Sequence, residues 1–334
     1  MAITFGTNRF GFPDPQRLIE TARASEAAGF SHFWFPDSQL RNGDVFINVL
    51  TALQHTERAI AGTLLVNPVT RHPSVTAASI AAVEMYAPGR VILGIGSGDT
   101  AVWQIGLRPA RLRETERAVH LIRALLAGEP VDLGWTAPSR LQQARPVPVI
   151  VAGSGPKTLR MAGRCADGAV IRIGTDPELV QWGYDQVRAG AIEAGRDPES
   201  LFLAGHFHTV ISDDPDLAAA RGRVMAAGYY EVNPGTWERL GIPWPCPPVH
   251  DILQEVRPDF HHAFDMDLAA ARVREIPVDV AKRFCLMGSA ADVRGQIEAL
   301  VTRFPWMTHI ILQPNMPGPA FIEACGREII PAFA

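Results

Sequence analysis

Apolar residues in this chain fall into short continuous runs and do not alternate with polar ones. ITFGTN (3–8), HFWFPD (32–37), RAIAGTLLV (58–66), RVILGIG (90–96), VPVIVAG (147–153), GAVIRIG (168–174), LFLAGHFHTVI (201–211) and HIILQP (309–314) each predict a strand. Helical patterns separate them. The first spans 15–28, with Leu18, Ala22, Ser25 and Ala28 on one face and Gly29 as its stop. Further helices are predicted over 45–55, 73–86, 111–127, 156–166, 177–195, 215–227, 290–302 and 320–330. Eight mostly apolar strands, each followed by a helix, predict a parallel sheet covered on both faces. The fold class is α/β, as a (β/α)8 TIM barrel, whose chemistry sits on the loops that follow the strands.

The rhythm breaks once. Residues 229–288 hold Trp237, Trp244 and five prolines between 234 and 248, and are read as one long insertion before the last βα unit. Segments this long in a compact domain serve function or stay disordered, and the aromatic content predicts a packed lid. The whole of 1–334 is read as a single domain.

Composition excludes several classes. A net charge of −4 gives no basic surface for nucleic acid or an anionic membrane. No run of about 18 apolar residues is present, so no membrane span is expected. Residues 1–15 lack a basic region followed by an apolar stretch, so no secretory signal is expected. Cys165, Cys246, Cys285 and Cys325 are far apart, without metal-ligand spacing or a disulfide pattern. A reducing cytoplasm is the expected compartment.

Three loops carry candidate chemistry. In LGIGSGDT (93–100), Gly94, Gly96 and Gly98 follow the fourth strand. A dinucleotide fingerprint needs G-x-G-x-x-G after the first strand, so both spacing and position differ. The stretch reads either as glycines that let strands approach closely or as an active-site rim with Asp99 facing it. In GSGPKT (153–158), Gly153, Ser154 and Gly155 follow a strand, and Pro156 opens a helix. Free N–H groups and the helix dipole there suit a phosphate, with Lys157 and Thr158 adding a charge and a hydroxyl. The alternative is an ordinary βα turn. GTLLVNPVTRHP (62–73) reads on its own as a buried strand.

These stretches, with FWFPDS (33–38), APGRVILGIGSGD (87–99), PVIVAGSGPKTLRMAGRCADGAV (148–170) and HIILQPNMPGP (309–319), resemble the bacterial luciferase-like superfamily. The resemblance is closest to its deazaflavin branch, the methylenetetrahydromethanopterin reductases and glucose-6-phosphate dehydrogenases that use coenzyme F420. It implies a non-prolyl cis peptide at Leu64–Leu65 that backs the central ring of the cofactor, with Asn67 beside it. It implies that Gly96, Ser97, Gly98 and Asp99 line the ring and substrate pocket, with Asp99 as proton donor. It places the cofactor phosphate at Gly153, Ser154, Gly155, Lys157 and Thr158. It draws Asp37 and Ser38 into the site. There the sugar dehydrogenases carry a His after the Asp, as the base for a substrate hydroxyl. Ser38 cannot be that base unaided.

His206 and His208 lie two apart on the seventh strand and face one side. They are either further catalytic groups or hydrogen-bonded core residues; a metal role lacks an evident third ligand, and none is expected. His72 is expected to structure its loop. The His261–His262 pair is read as a solvated patch, with pocket closure as the alternative. Trp103 is read as a pocket wall or as core.

The expected function is oxidoreduction by hydride transfer between reduced coenzyme F420 and a small organic substrate. The alternative is a monooxygenase using reduced FMN and oxygen; weaker readings are a non-catalytic flavin-binding protein and a phosphate-binding barrel lyase. The expected setting, part of it implied by the resemblance, is a cytoplasmic homodimer with a separate enzyme that reduces the cofactor.

Overall fold

The computed structural model describes residues 3–8, 14–315 and 318–333; residues 316–317 of the HIILQPNMPGP stretch lie outside them. Nine strands are present: β1 Thr4–Asn8, β2 His32–Phe35, β3 Ile60–Thr63, β4 Val91–Ile95, β5 Val149–Gly153, β6 Gly168–Ile171, β7 Phe202–Ile211, β8 Leu286–Gly288 and β9 His309–Pro314. The fold is the expected (β/α)8 barrel, with β8 as an extra strand.

The chain divides into two compact units. One is Thr4–Val170 with Asp185–Leu203. Its strands run β1 to β5 in sequence order, all parallel, with Gly6 opposite His32, Phe35 opposite Thr63, Gly62 opposite Ile92 and Ile95 opposite Val151. Phe33, Trp34 and Phe35 of β2 are fully buried, as a strand covered on both faces requires. Helix Pro73–Tyr86 starts as its sequence predicts: Pro73 occupies the first position and His72 accepts the Ser74 N–H. His72 is thus the loop-structuring residue expected of it.

The second unit is chiefly Ile171–Tyr184 with Ala204–Ala334. Here β7 lies between two parallel neighbours: Ala204–Thr209 pair with His309–Pro314, and Thr209–Ile211 with Leu286–Gly288. Helix Pro215–Val232 continues past the expected end at 227, running through Gly228 to Asn233–Pro234 with Tyr229 buried. The segment read as an insertion therefore starts with the last turn of that helix. It continues through short helices at Gly235–Arg239, Val249–Ile252, Met266–Arg272 and Val278–Ala281, and includes a cis Arg257–Pro258 bond. Most of its aromatic residues are packed: Trp244 stacks on Tyr230 at 4.4 Å and Trp237 on Phe284 at 5.0 Å, while Phe264 is 83% exposed. The last helix turns from α to π winding at Cys325. Among the described residues, no helix is long and apolar enough to cross a membrane.

The ladder of β3 stops at Thr63, three residues before the predicted end. The Leu64–Leu65 peptide is cis, at the place where the resemblance puts one. Beyond it Val66 rejoins β4, donating to Gly94 O and accepting from Gly96 N, each at 3.0 Å.

Candidate active site

In the first unit the C-terminal ends of β2, β3 and β4 meet. Glycine is required where they touch. A Cβ on Gly94 would lie 2.1 Å from Thr63 O, and the Thr63 hydroxyl already bonds both Gly94 O (2.8 Å) and Gly94 N (2.9 Å). A Cβ on Gly96 would press on the Leu65 methyls at 3.0 Å. Gly98 has φ +86°, and a Cβ there would come 2.6 Å from Val102 and 3.0 Å from Asn67.

Asn67 is buried. Its Oδ1 accepts from Val69 N, Thr70 N and Thr70 Oγ, at 3.0, 2.9 and 3.2 Å. Its Nδ2 is buried without a hydrogen-bond partner. A buried amide donor left unpaired is costly unless a ligand takes it.

Asp37, just past β2, is also buried. Arg71 pairs with it and, at 3.0 Å, with Asp44, which caps the helix Val45–Gln54. Burial pushes the Asp37 carboxyl up, against the lowering effect of Arg71. Its second oxygen, Oδ1, has no partner. Ser38 is half-buried and opens the short helix Gln39–Asn42 without a side-chain cap bond. Gln39 donates to Ala101 O at 3.0 Å, which ties this loop to the one after β4.

Asp99 is exposed and caps the short helix Thr100–Trp103, accepting the Thr100 N–H at 2.5 Å through Oδ1. Ser97 is exposed, and its carbonyl accepts from Ala110. Trp103 is 60% exposed, so the core role considered for it does not hold.

After β5, Thr158 folds back over Gly153, where a Cβ would lie 2.7 Å from its methyl. Gly155 caps helix Pro156–Cys165 with no side-chain bond, and a Cβ there would meet nothing within 4 Å. Lys157 is exposed. This loop offers an open helix start to an anion, and the loops after β3 and β4 pack closely around Gly94, Gly96 and Gly98 beside a buried amide donor without a hydrogen-bond partner. The residues present therefore fit a flat ring with a phosphate tail.

His206 and His208 belong to the second unit. Burial, then the Arg172 charge, push His206 down to about 3, with Gln313 hydrogen bonding opposing them, so it stays neutral at working pH. His208 stacks on His261 at 4.1 Å, and both rings bond the Arg172 guanidinium. His261 is 4% exposed, which corrects the solvated reading of the pair. Only His262 is partly open, paired with Asp259 at 2.9 Å. Among the described residues, Glu116, His120 and Cys165 group within 4.8 Å. Arg164 holds Glu116 at 2.8 and 3.0 Å and burial pushes the Cys165 thiol up to about 11, so neither is a ready ligand.

Sequence reasoning missed Arg71, Asp44 and Arg172. Arg172 carried a signal: a single charge closing an apolar strand run, GAVIRIG.

The luciferase-like monooxygenase family model matches residues 3–304, and the chain belongs to that family. An F420-dependent glucose-6-phosphate dehydrogenase of Microbacterium testaceum is 33% identical over 349 residues, covering 97% of this chain and 96% of that one. A 5,10-methylenetetrahydromethanopterin reductase of Methanopyrus kandleri is 26% identical over 365 residues, covering 99% of each. The solved structure of the coenzyme F420 dependent tetrahydromethanopterin reductase from Methanopyrus kandleri superposes with a TM-score of 0.83 at 23% identity, over all of both chains.

Proposed function

We propose that this chain is an F420-dependent oxidoreductase that moves a hydride between the deazaflavin and a small organic substrate. The observation that carries the reading is the buried Asn67 amide, its donor unpaired, packed against Gly98 at the ends of β3 and β4. A relative named as F420-dependent, matched over 97% of this chain, supports it.

Leu64, Leu65, Asn67 and Gly96–Gly98 would hold the ring, and Gly153, Ser154, Gly155, Lys157 and Thr158 the phosphate. When bound, the deazaflavin supplies a carbon that gives or takes a hydride and reacts poorly with oxygen. Among the described residues Asp99 Oδ2 makes no hydrogen bond, and Asp99 serves as the exposed proton donor. Asp37 presents Oδ1 as a buried acceptor for a ligand N–H or O–H, held in place by Arg71. Ser38 stands where a hydroxyl-oxidising relative has its base, so reduction of an unsaturated or imine-like carbon suits these residues better. His206 and His208 act by hydrogen bonding, not as proton donors.

The reading extends to a cytoplasmic homodimer served by a separate cofactor-reducing enzyme. Turnover with reduced deazaflavin and with reduced FMN, each in air and without oxygen, tests the activity. Deazaflavin-driven reduction that ignores oxygen supports it; turnover only with reduced FMN and oxygen replaces it with the monooxygenase.

A further inference from the structure

Arg172 is the first residue after β6, at the end of the strand where (β/α)8 enzymes place their binding groups. It is half-buried, and its hydrogen bonds are unusual for a guanidinium. Nη2 contacts two imidazole nitrogens, His208 Nε2 and His261 Nδ1, each at 3.0 Å. Both nitrogens must accept, since the guanidinium only donates. His261 Nε2 then carries the proton and donates to Met225 O at 3.2 Å. Tyr229 lies under the guanidinium, 5.5 Å from ring centre to Cζ. None of these partners is an anion.

The nearby acids are engaged elsewhere. Asp176 pairs with Arg283, Asp259 with His262, and Glu231 accepts the Phe260 N–H. Among the described residues no carboxylate pairs with Arg172. A partly buried cation without a counter-charge is unfavourable, and two stacked neutral rings orient it without neutralising it. Among the described residues Nη1 and Nε have no hydrogen-bond partner. Such a group is completed by an anion from outside the chain.

We infer that Arg172, oriented by His208 and His261, binds the carboxylate or phosphate group of a small molecule. This anion site stands independently of the oxidoreductase reading.

The test uses the full chain without cofactor, carrying Lys157→Gln to silence the phosphate loop, and reads calorimetric binding of succinate and of inorganic phosphate. Saturable binding of either is expected, and the one preferred tells carboxylate from phosphate. Arg172→Gln should weaken it about tenfold or more, while Arg172→Lys restores part of the loss. Unchanged binding in Arg172→Gln, or no binding of either anion to the parent, overturns the inference. In case Arg172→Gln does not fold, modification of arginines by a dicarbonyl reagent is mapped in the parent: the bound anion should protect Arg172, and no protection counts against it. A separate F420 titration of Arg172→Gln, with Lys157 intact, should match wild type. A loss of F420 affinity there would assign Arg172 to the cofactor instead. Failure of F420 to bind wild type, with anion binding intact, removes only the oxidoreductase reading.

Discussion

At the scale of single residues, three carboxyl groups have three separate environments. Asp99 is exposed and caps a short helix through one carboxylate oxygen. Asp99→Asn keeps the shape and the cap acceptor, and is expected to lower kcat about 100-fold or more while cofactor affinity holds; steady-state kinetics checks it. Asp37 is buried and pinned by Arg71, so its pull is that of a fixed acceptor. Glu231 is pushed up to about 7, mainly by burial. The folded chain then binds a proton more tightly than the unfolded chain, whose carboxyl titrates near 4.5. The contribution of Glu231 to stability falls as pH rises from about 4.5 to 7 and is flat above, opposite in sign to that of the buried His32 and His206. Glu231→Gln should remove that slope and be more stable at pH 8 by about 1–2 kcal/mol, reduced by the group's partial exposure; urea unfolding at pH 5 and pH 8 measures it. Asp99 and Asp37 were legible as candidates because their motifs stand in the sequence. The Asp37–Arg71–Asp44 chain was not, since it joins residues 34 and 27 positions apart through the turn of the backbone after β3.

At the scale of elements, the strands and long helices were read to within a few residues, because continuous apolar runs and proline starts are local signals. The prediction for 58–66 ran past the true end of β3, since the run LLV stays apolar through the cis bond while the ladder does not. β8 was missed: three residues carry no period. The packing of the loops shows where glycine is obligatory. A side chain on Gly94 meets backbone, so Gly94→Ala is expected to cost about 3 kcal/mol or more, read from the denaturant midpoint. Gly98→Val collides with Val102 and Asn67 instead. It should lower cofactor affinity more than tenfold with a smaller loss of stability, because the strain falls on the recess and not on the ladder; a parallel titration and melt separate the two effects. Between helices, a Cβ on Gly163 would lie 1.9 Å from Val187 O, so the segment GRC is small for packing and not for chemistry.

At the scale of the whole molecule, alternation of strand and helix was enough for the fold class, and family membership agrees with it. The role of 229–288 was less legible. Its two tryptophans pack and His261 is buried against Arg172, contacts that depend on tertiary placement and leave no pattern in the chain. The division between a ring recess after β3 and β4 and a phosphate loop after β5 is the account's central claim. It is tested most directly by equilibrium titration of the purified chain with F420 and with FMN, on wild type, Gly98→Val and Lys157→Gln. Micromolar binding of F420, weakened by each substitution and far tighter than that of FMN, is the predicted result. Micromolar binding of FMN with none of F420, or F420 binding indifferent to both substitutions, would contradict it.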